Sequence, residues 1–137
     1  MLFPKKVKHR KWHKGRVRGA ATRKINLSFG TFGLKSLEAR WITSRQLEAA
    51  RRTITRQLKR GGKLWIRVFP DRPVTFKGLE VTMGGGKGAV DHYVVAVQPG
   101  TMLFELDGVD LALAQVALRM AAHKLPVKTK FIQRNES

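Results

Sequence analysis

Cysteine is absent from this 137-residue chain, which excludes disulfides and thiolate zinc sites together. Acidic side chains are scarce: nine Asp and Glu stand against 28 Lys and Arg. The resulting +19 repels itself and favours a polyanionic partner. Long apolar runs are missing as well. The longest, Tyr93 to Val97, falls far short of the roughly 20 residues a spanning helix needs. The opening Met1-Leu2-Phe3-Pro4-Lys5-Lys6 has a basic flank with no apolar stretch behind it, so no export signal is expected. Pro4, Gly15 and Gly19 argue against the amphipathic helix of an organellar transit peptide.

What is present suffices for one folded domain. The length matches a single core of about 100–150 residues, and 42% of the residues are hydrophobic. The cations are unevenly placed. Residues 1–87 hold 23 basic and 4 acidic side chains, whereas residues 88–137 hold 5 of each. The whole imbalance therefore lies in the N-terminal two-thirds, where a partner is expected to bind.

Residues 1–24 carry ten Lys and Arg and no acid, interleaved with Phe3, His9, Trp12 and His13. Apolar residues are too few there for a helical stripe, which predicts an extended arm ordered on binding, followed by one domain over 25–137. The alternation Ile25, Leu27, Phe29 predicts a strand broken at Gly30 and Gly33, with a second from Leu34 to Ile42. Thr43-Ser44-Arg45-Gln46 is a capping box opening a helix to Arg60, stopped by Gly61-Gly62. Leu47, Ala50, Ile54 and Leu58 share one face of it; Arg45, Arg52, Arg56, Lys59 and Arg60 share the other. Leu64, Ile66 and Val68 alternate with Trp65, Arg67 and Phe69 in a strand ending at Pro70. Thr82-Met83-Gly84-Gly85-Gly86-Lys87-Gly88 is a loop. Val90–Gln98 and Thr101–Asp107, joined at Pro99-Gly100, read as a buried hairpin. Asp110 caps a second helix to about Leu125, and Val127–Ile132 adds an edge strand. Strands followed by helices, twice over, predict an α+β sandwich.

Enzyme signatures fail on inspection. A phosphate loop needs Gly, four residues, then Gly-Lys-Ser/Thr, because the hydroxyl binds magnesium; here Gly88 follows Lys87. A flexible loop whose backbone approaches a large ligand closely fits better. His9 and His13 are surrounded by cations that would repel a metal, while His92 and His123 are structural or RNA-facing. Glu38 and Glu48 support local ion pairs. Glu105, Asp107 and Asp110 cluster at a strand–helix junction with two readings, a magnesium site or capping and solvation. No paired carboxylates suited to acid–base work are evident, and no cofactor is expected.

The arm is the stronger case. Lys5, Lys6, Lys8, Arg10, Lys11, Lys14, Arg16 and Arg18 can neutralise phosphates, and Trp12 can stack on unpaired bases. With no helix-turn-helix or finger signature, an arm, a one-sided basic helix and a glycine loop suit an irregular RNA surface better than a DNA groove.

Met1-Leu2-x-Pro4-Lys5-Lys6-x-Lys8, Phe29-Gly30-x-Phe32-Gly33-Leu34-Lys35 and Ile42-Thr43-x-Arg45-Gln46-x-Glu48-Ala49-Ala50-Arg51-Arg52 appear in order. They are followed by Gly62-Lys63-x-Trp65-Ile66-Arg67-Val68-Phe69-Pro70-Asp71-x-Pro73, Met83-Gly84-x-Gly86-Lys87-Gly88 and Lys124-Leu125-Pro126-x-Lys128-Thr129. Over nearly its whole length the chain resembles bacterial large-subunit ribosomal protein sixteen. The resemblance implies a two-layer α/β-hammerhead type of α+β fold seated on 23S rRNA near the peptidyl-transferase centre. It also implies a part in late subunit assembly and in positioning aminoacyl-site tRNA, with loop Thr82–Gly88 and the arm nearest that centre. Neighbouring large-subunit proteins are implied partners, and no chemistry is. Thr82 stands where the family usually has arginine, and Gly85 where a second basic residue is usual, so arginine hydroxylation reported in some bacteria cannot apply here. The resemblance thus describes a structural rRNA-binding protein on cytoplasmic ribosomes, with a plastid ribosome left open. The rival classes are a free cationic DNA- or RNA-binding protein and a small enzyme using the glycine loop.

Overall fold

Residues 26–59, 61–75 and 90–134 are described in the computed structural model. Among these described residues, seven strands and two helices follow in the order β1 (Phe32–Ser36), β2 (Arg40–Thr43), α1 (Ser44–Leu58), β3 (Lys63–Ile66), β4 (Arg72–Thr75), β5 (Val90–Val97), β6 (Met102–Asp107), α2 (Leu111–Ala122) and β7 (Thr129–Gln133). The strands form two antiparallel sheets, β3-β6-β1-β7 and β2-β5-β4. The class is α+β, as expected.

Helix α1 begins where its capping box lies. The Gln46 N–H donates to Thr43 Oγ1 at 3.1 Å, and the Thr43 N–H donates to Gln46 Oε1 at 2.9 Å, which satisfies two donors that a bare helix start leaves open. Leu47, Ala50, Ile54 and Leu58 are all buried. The helix ends at Leu58 rather than at Arg60, because Lys59 turns left-handed at φ 50°. The Lys59 N–H still reaches Thr55 O, and the Gly61 N–H reaches Leu58 O at 2.9 Å. In α2 the Leu113 N–H donates to Asp110 Oδ1 at 2.8 Å, and Ala114, Ala117, Leu118 and Ala121 are buried. This helix stops at Ala122, short of Leu125. Lys124 and Leu125 donate to Ala121 and Ala122, three residues back, tightening the chain into turns ahead of Pro126.

Three strand expectations need correction. Residues 26–31 form a loop, not a strand, and Gly33 lies inside β1 rather than breaking it. The second expected strand is split, with Ser36 ending β1 and Arg40 starting β2. Most important, Val90–Gln98 and Thr101–Asp107 do not pair with each other. β5 pairs with β2 and β4, while β6 pairs with β1 and β3. The turn between them passes the chain from one sheet to the other: Gly100 takes φ 96°, its N–H donates to Ser36 O at 2.8 Å, and the Ser36 N–H donates to Thr101 O at 2.9 Å. Near the ends, β3 closes at Ile66 instead of running on to Pro70, and β7 is an edge strand shifted from Val127–Ile132 to Thr129–Gln133.

One core joins both sheets and both helices. Ile42 of β2, Ile54 of α1, Val97 of β5, Phe104 of β6 and Leu118 of α2 belong to a single buried cluster, each worth roughly 1.5–3 kcal/mol when removed from water. The helices pack on each other, with α2 also against β1 and β7 and α1 against β2 and β5. Side chains alternate along β1, so Phe32 and Leu34 face that core while Gly33 and Lys35 face the other way. The 26–31 loop lies on this second face. A Cβ on Gly33 would come within 2.5 Å of Leu27 Cδ2, and one on Gly30 within 2.4 Å of the Leu106 carbonyl oxygen. Backbone cannot move aside as a side-chain tip can. Gly30→Ala should therefore destabilise the fold by about 2 kcal/mol, seen as a lower denaturant midpoint at unchanged slope. An unchanged midpoint would show that the loop does not lie this close to β6.

Candidate nucleic-acid interface

Helix α1 separates its two jobs by face. The buried stripe fixes its rotation, which turns Arg45, Arg52, Arg56 and Lys59 outward, all exposed. They are not equally available. Glu48 is buried on the same helix and accepts from Arg51, while Arg52 Nε lies 3.2 Å from Glu48 Oε1. The hydrogen bond from Arg51 holds the Glu48 carboxyl below its ordinary pKa against the opposing effect of burial. Arg51 and part of Arg52 are thus spent on an internal carboxylate. Arg45, Arg56 and Lys59 take no part in an ion pair among the described residues. The remaining expected contacts, Lys5, Lys6, Lys8, Arg10, Lys11, Trp12, Lys14, Arg16 and Arg18 of the arm, together with Arg60, lie outside the described residues. So do Thr82, Met83, Gly84, Gly85, Gly86, Lys87 and Gly88.

A second constellation, not foreseen from the sequence, sits on the other sheet face. Glu105 is fully buried, and its Oε1 accepts from three consecutive backbone N–H groups, Ser28 at 2.9 Å, Phe29 at 2.9 Å and Gly30 at 3.0 Å. Its other oxygen accepts from Arg67. Burial pushes the Glu105 pKa up, but the N–H groups of Gly30, Phe29 and Ser28 and the Arg67 guanidinium outweigh it, so the net shift is downward. The Phe29 ring, held at the surface by this anchor, stacks on Trp65 with centroids 5.8 Å apart, and the Arg67 guanidinium lies 5.2 Å from the Phe29 centroid.

The acidic cluster resolves into separate tasks. Asp107 accepts from Thr31 Oγ1 at 2.9 Å and from the Gly108 N–H at 2.8 Å, the two contacts that lower its pKa most. Asp110 caps α2 and Glu105 anchors the loop. That favours capping over magnesium; among the described residues no group of three or more His, Cys, Asp or Glu is placed to hold a metal ion. Nor is any described helix long and apolar enough to cross a membrane.

A cationic helix face on a basic chain of this composition favours a polyanionic partner. Comparison with known proteins gives the family. The model of ribosomal protein L16p/L10e matches residues 4–132. The large ribosomal subunit protein uL16c of Phaeodactylum tricornutum is 61% identical over 132 residues, covering 96% of each chain. Its namesake in Thalassiosira pseudonana is 58% identical over 99% of each chain. That of Cyanidium caldarium is 54% identical over 99% of this chain and 97% of its own. The chain belongs to the L16p/L10e family: it is a structural ribosomal protein and not an enzyme.

The Glu105 anchor can be tested without RNA. Its folded pKa lies below the ordinary 4.5, so its contribution is fully present above that value and is lost as pH falls through the lowered one. Glu105→Gln should cost about 3 kcal/mol near neutrality, because Arg67 keeps a largely buried charge. It should also flatten the acid limb of a stability–pH curve relative to wild type. Parallel acid limbs, measured by denaturant unfolding, would refute a charged Glu105.

Proposed function

We propose that the chain is a constituent of the large ribosomal subunit that binds 23S rRNA near the peptidyl-transferase centre. It acts in late subunit assembly and in positioning aminoacyl-site tRNA. The observation that carries the reading is the outer face of α1, where Arg45, Arg56 and Lys59 stand exposed over a fully buried Leu47–Ile54 stripe. The division of labour follows: residues 25–137 are one rRNA-binding domain of the α/β-hammerhead type, and residues 1–24 are a basic arm that grips phosphates. Neighbouring large-subunit proteins share the site. The ribosome concerned is the plastid one, since the relatives carry the suffix c in their names. Loop Thr82–Gly88 is the part nearest tRNA.

Arg45→Ala with Arg56→Ala should weaken binding to large-subunit rRNA and flatten the log–log salt dependence by about 1–2 units, leaving the unfolding midpoint unchanged. Arg52→Ala should do less, because Glu48 already engages it. A full chain that neither co-sediments with large subunits nor binds their rRNA would overturn the proposal. In the loop, Thr82→Arg adds a fork suited to phosphate, and subunits carrying it should retain the protein to higher salt than wild type. Exclusion of the variant from subunits would show instead that the surroundings have been refitted around an uncharged residue.

A further inference from the structure

The face of the β3-β6-β1-β7 sheet turned away from the core carries cations that the sheet itself does not neutralise. Lys35 of β1 stands directly opposite Lys130 of β7 in the antiparallel register. Like charges in facing positions destabilise a strand pair, yet neither lysine takes part in an ion pair among the described residues. Arg134 crosses the same face, its Nη2 donating to Leu27 O at 3.4 Å. With Lys35, Asn26 and Ile132 it borders a shallow hollow of about 260 Å³. Within the 26–31 loop the Phe29 ring is 56% exposed although Trp65 and Arg67 brace it.

The acids on this face are already engaged. Glu105 is enclosed by the loop and Arg67, and Asp107 is held by Gly108 and Thr31 with Arg134 and Lys63 nearby. Among the described residues, what remains outward is an exposed ring on the β3 side of the face and cations on its β1–β7 side, groups that take an unpaired base and phosphate respectively. A protein partner would need an acidic patch to meet facing lysines. Moreover, Asn26 continues in sequence directly into the residues 1–24 that hold ten Lys and Arg and no acid.

We infer that this open sheet face is a second RNA-docking surface, on which Lys35 and Lys130 neutralise phosphate and Phe29 stacks an unpaired base. The inference rests on the rRNA-binding reading above and extends it to residues that the arm, α1 and the glycine loop do not include.

The test uses the full chain with two probes, a labelled single-stranded uridine oligonucleotide and large-subunit rRNA, titrated across a range of salt. Lys35→Gln with Lys130→Gln should flatten the log–log salt slope by about 1–2 units. The same pair should leave the unfolding midpoint level or raise it, because a repulsive pair has gone. Loss of affinity with no loss of stability is something a merely structural role would not give. Phe29→Ala should weaken binding about tenfold at every salt concentration without changing the slope, and Phe29→Trp should restore it. Wild-type affinity in both the lysine pair and the Phe29 variant, with Arg45→Ala/Arg56→Ala impaired, would overturn the sheet-face inference while leaving rRNA binding by α1 standing. If all these variants match a wild type that itself fails to bind rRNA, the broader reading fails too. Variants that bind both RNAs normally yet are lost from purified subunits would assign the face to a protein neighbour, again overturning the inference.

Discussion

Glu105 is a charge placed where water does not reach, and the open face of the larger sheet depends on how that charge is met. Removing a carboxylate from water costs several kcal/mol after all relaxation, so the site survives only because four donors converge on it. Three are successive backbone N–H groups of the 26–31 loop, which form a concave anion cradle, and the fourth is the Arg67 guanidinium. The consequence runs outward. Tying Ser28, Phe29 and Gly30 to β6 lays the loop flat on the sheet, and flatness demands glycine at 30 and 33, where a Cβ would strike Leu106 O or the Leu27 side chain. The same tie presents the Phe29 ring beside Trp65.

Helix α1 was legible from its residues because everything that defines it is local. The capping box spans four positions, and a 3.6-residue stripe needs no knowledge of the partner. Sheet partnership is different. Alternation in Val90–Val97 and Met102–Asp107 says that each strand has two faces but not which strand it lies beside. A Pro-Gly turn between them therefore read as a hairpin, although it moves the chain between sheets. The Leu27 and Phe29 alternation misled for a related reason: Leu27 packs on Gly33 and Phe29 on Trp65, so two side chains are held against one surface while the backbone donors go to a carboxylate instead of a ladder. A signal for that carboxylate did exist. Glu105 is the only charge in the run Met102–Leu106, and a lone acid among core residues implies a buried partner.

Averages hid the rest. The zero net charge of residues 88–137 suggested a half that merely supplies the core. In three dimensions its charges are sorted. Glu105, Asp107 and Asp110 are occupied by backbone donors, whereas Lys130 and Arg134 lie on the open sheet face beside Lys35. A segment can balance on paper and still present one sign locally, because its acids and its cations lie at different places on the folded chain.

With +19 on a chain of 137 residues, spreading the cations over separate surfaces lowers their mutual repulsion. It also dictates the shape of what can bind. The outer face of α1 and the open face of the sheet belong to different elements, and both are turned away from the core. An RNA that folds around the protein would satisfy both sets of cations at once. Where such an RNA binds the folded chain more tightly than the unfolded one, that difference in affinity adds to the stability of the fold. With RNA docked as proposed, the facing Lys35–Lys130 pair and the crowded positive charge, costly in the free protein, would be relieved by the phosphates that meet them.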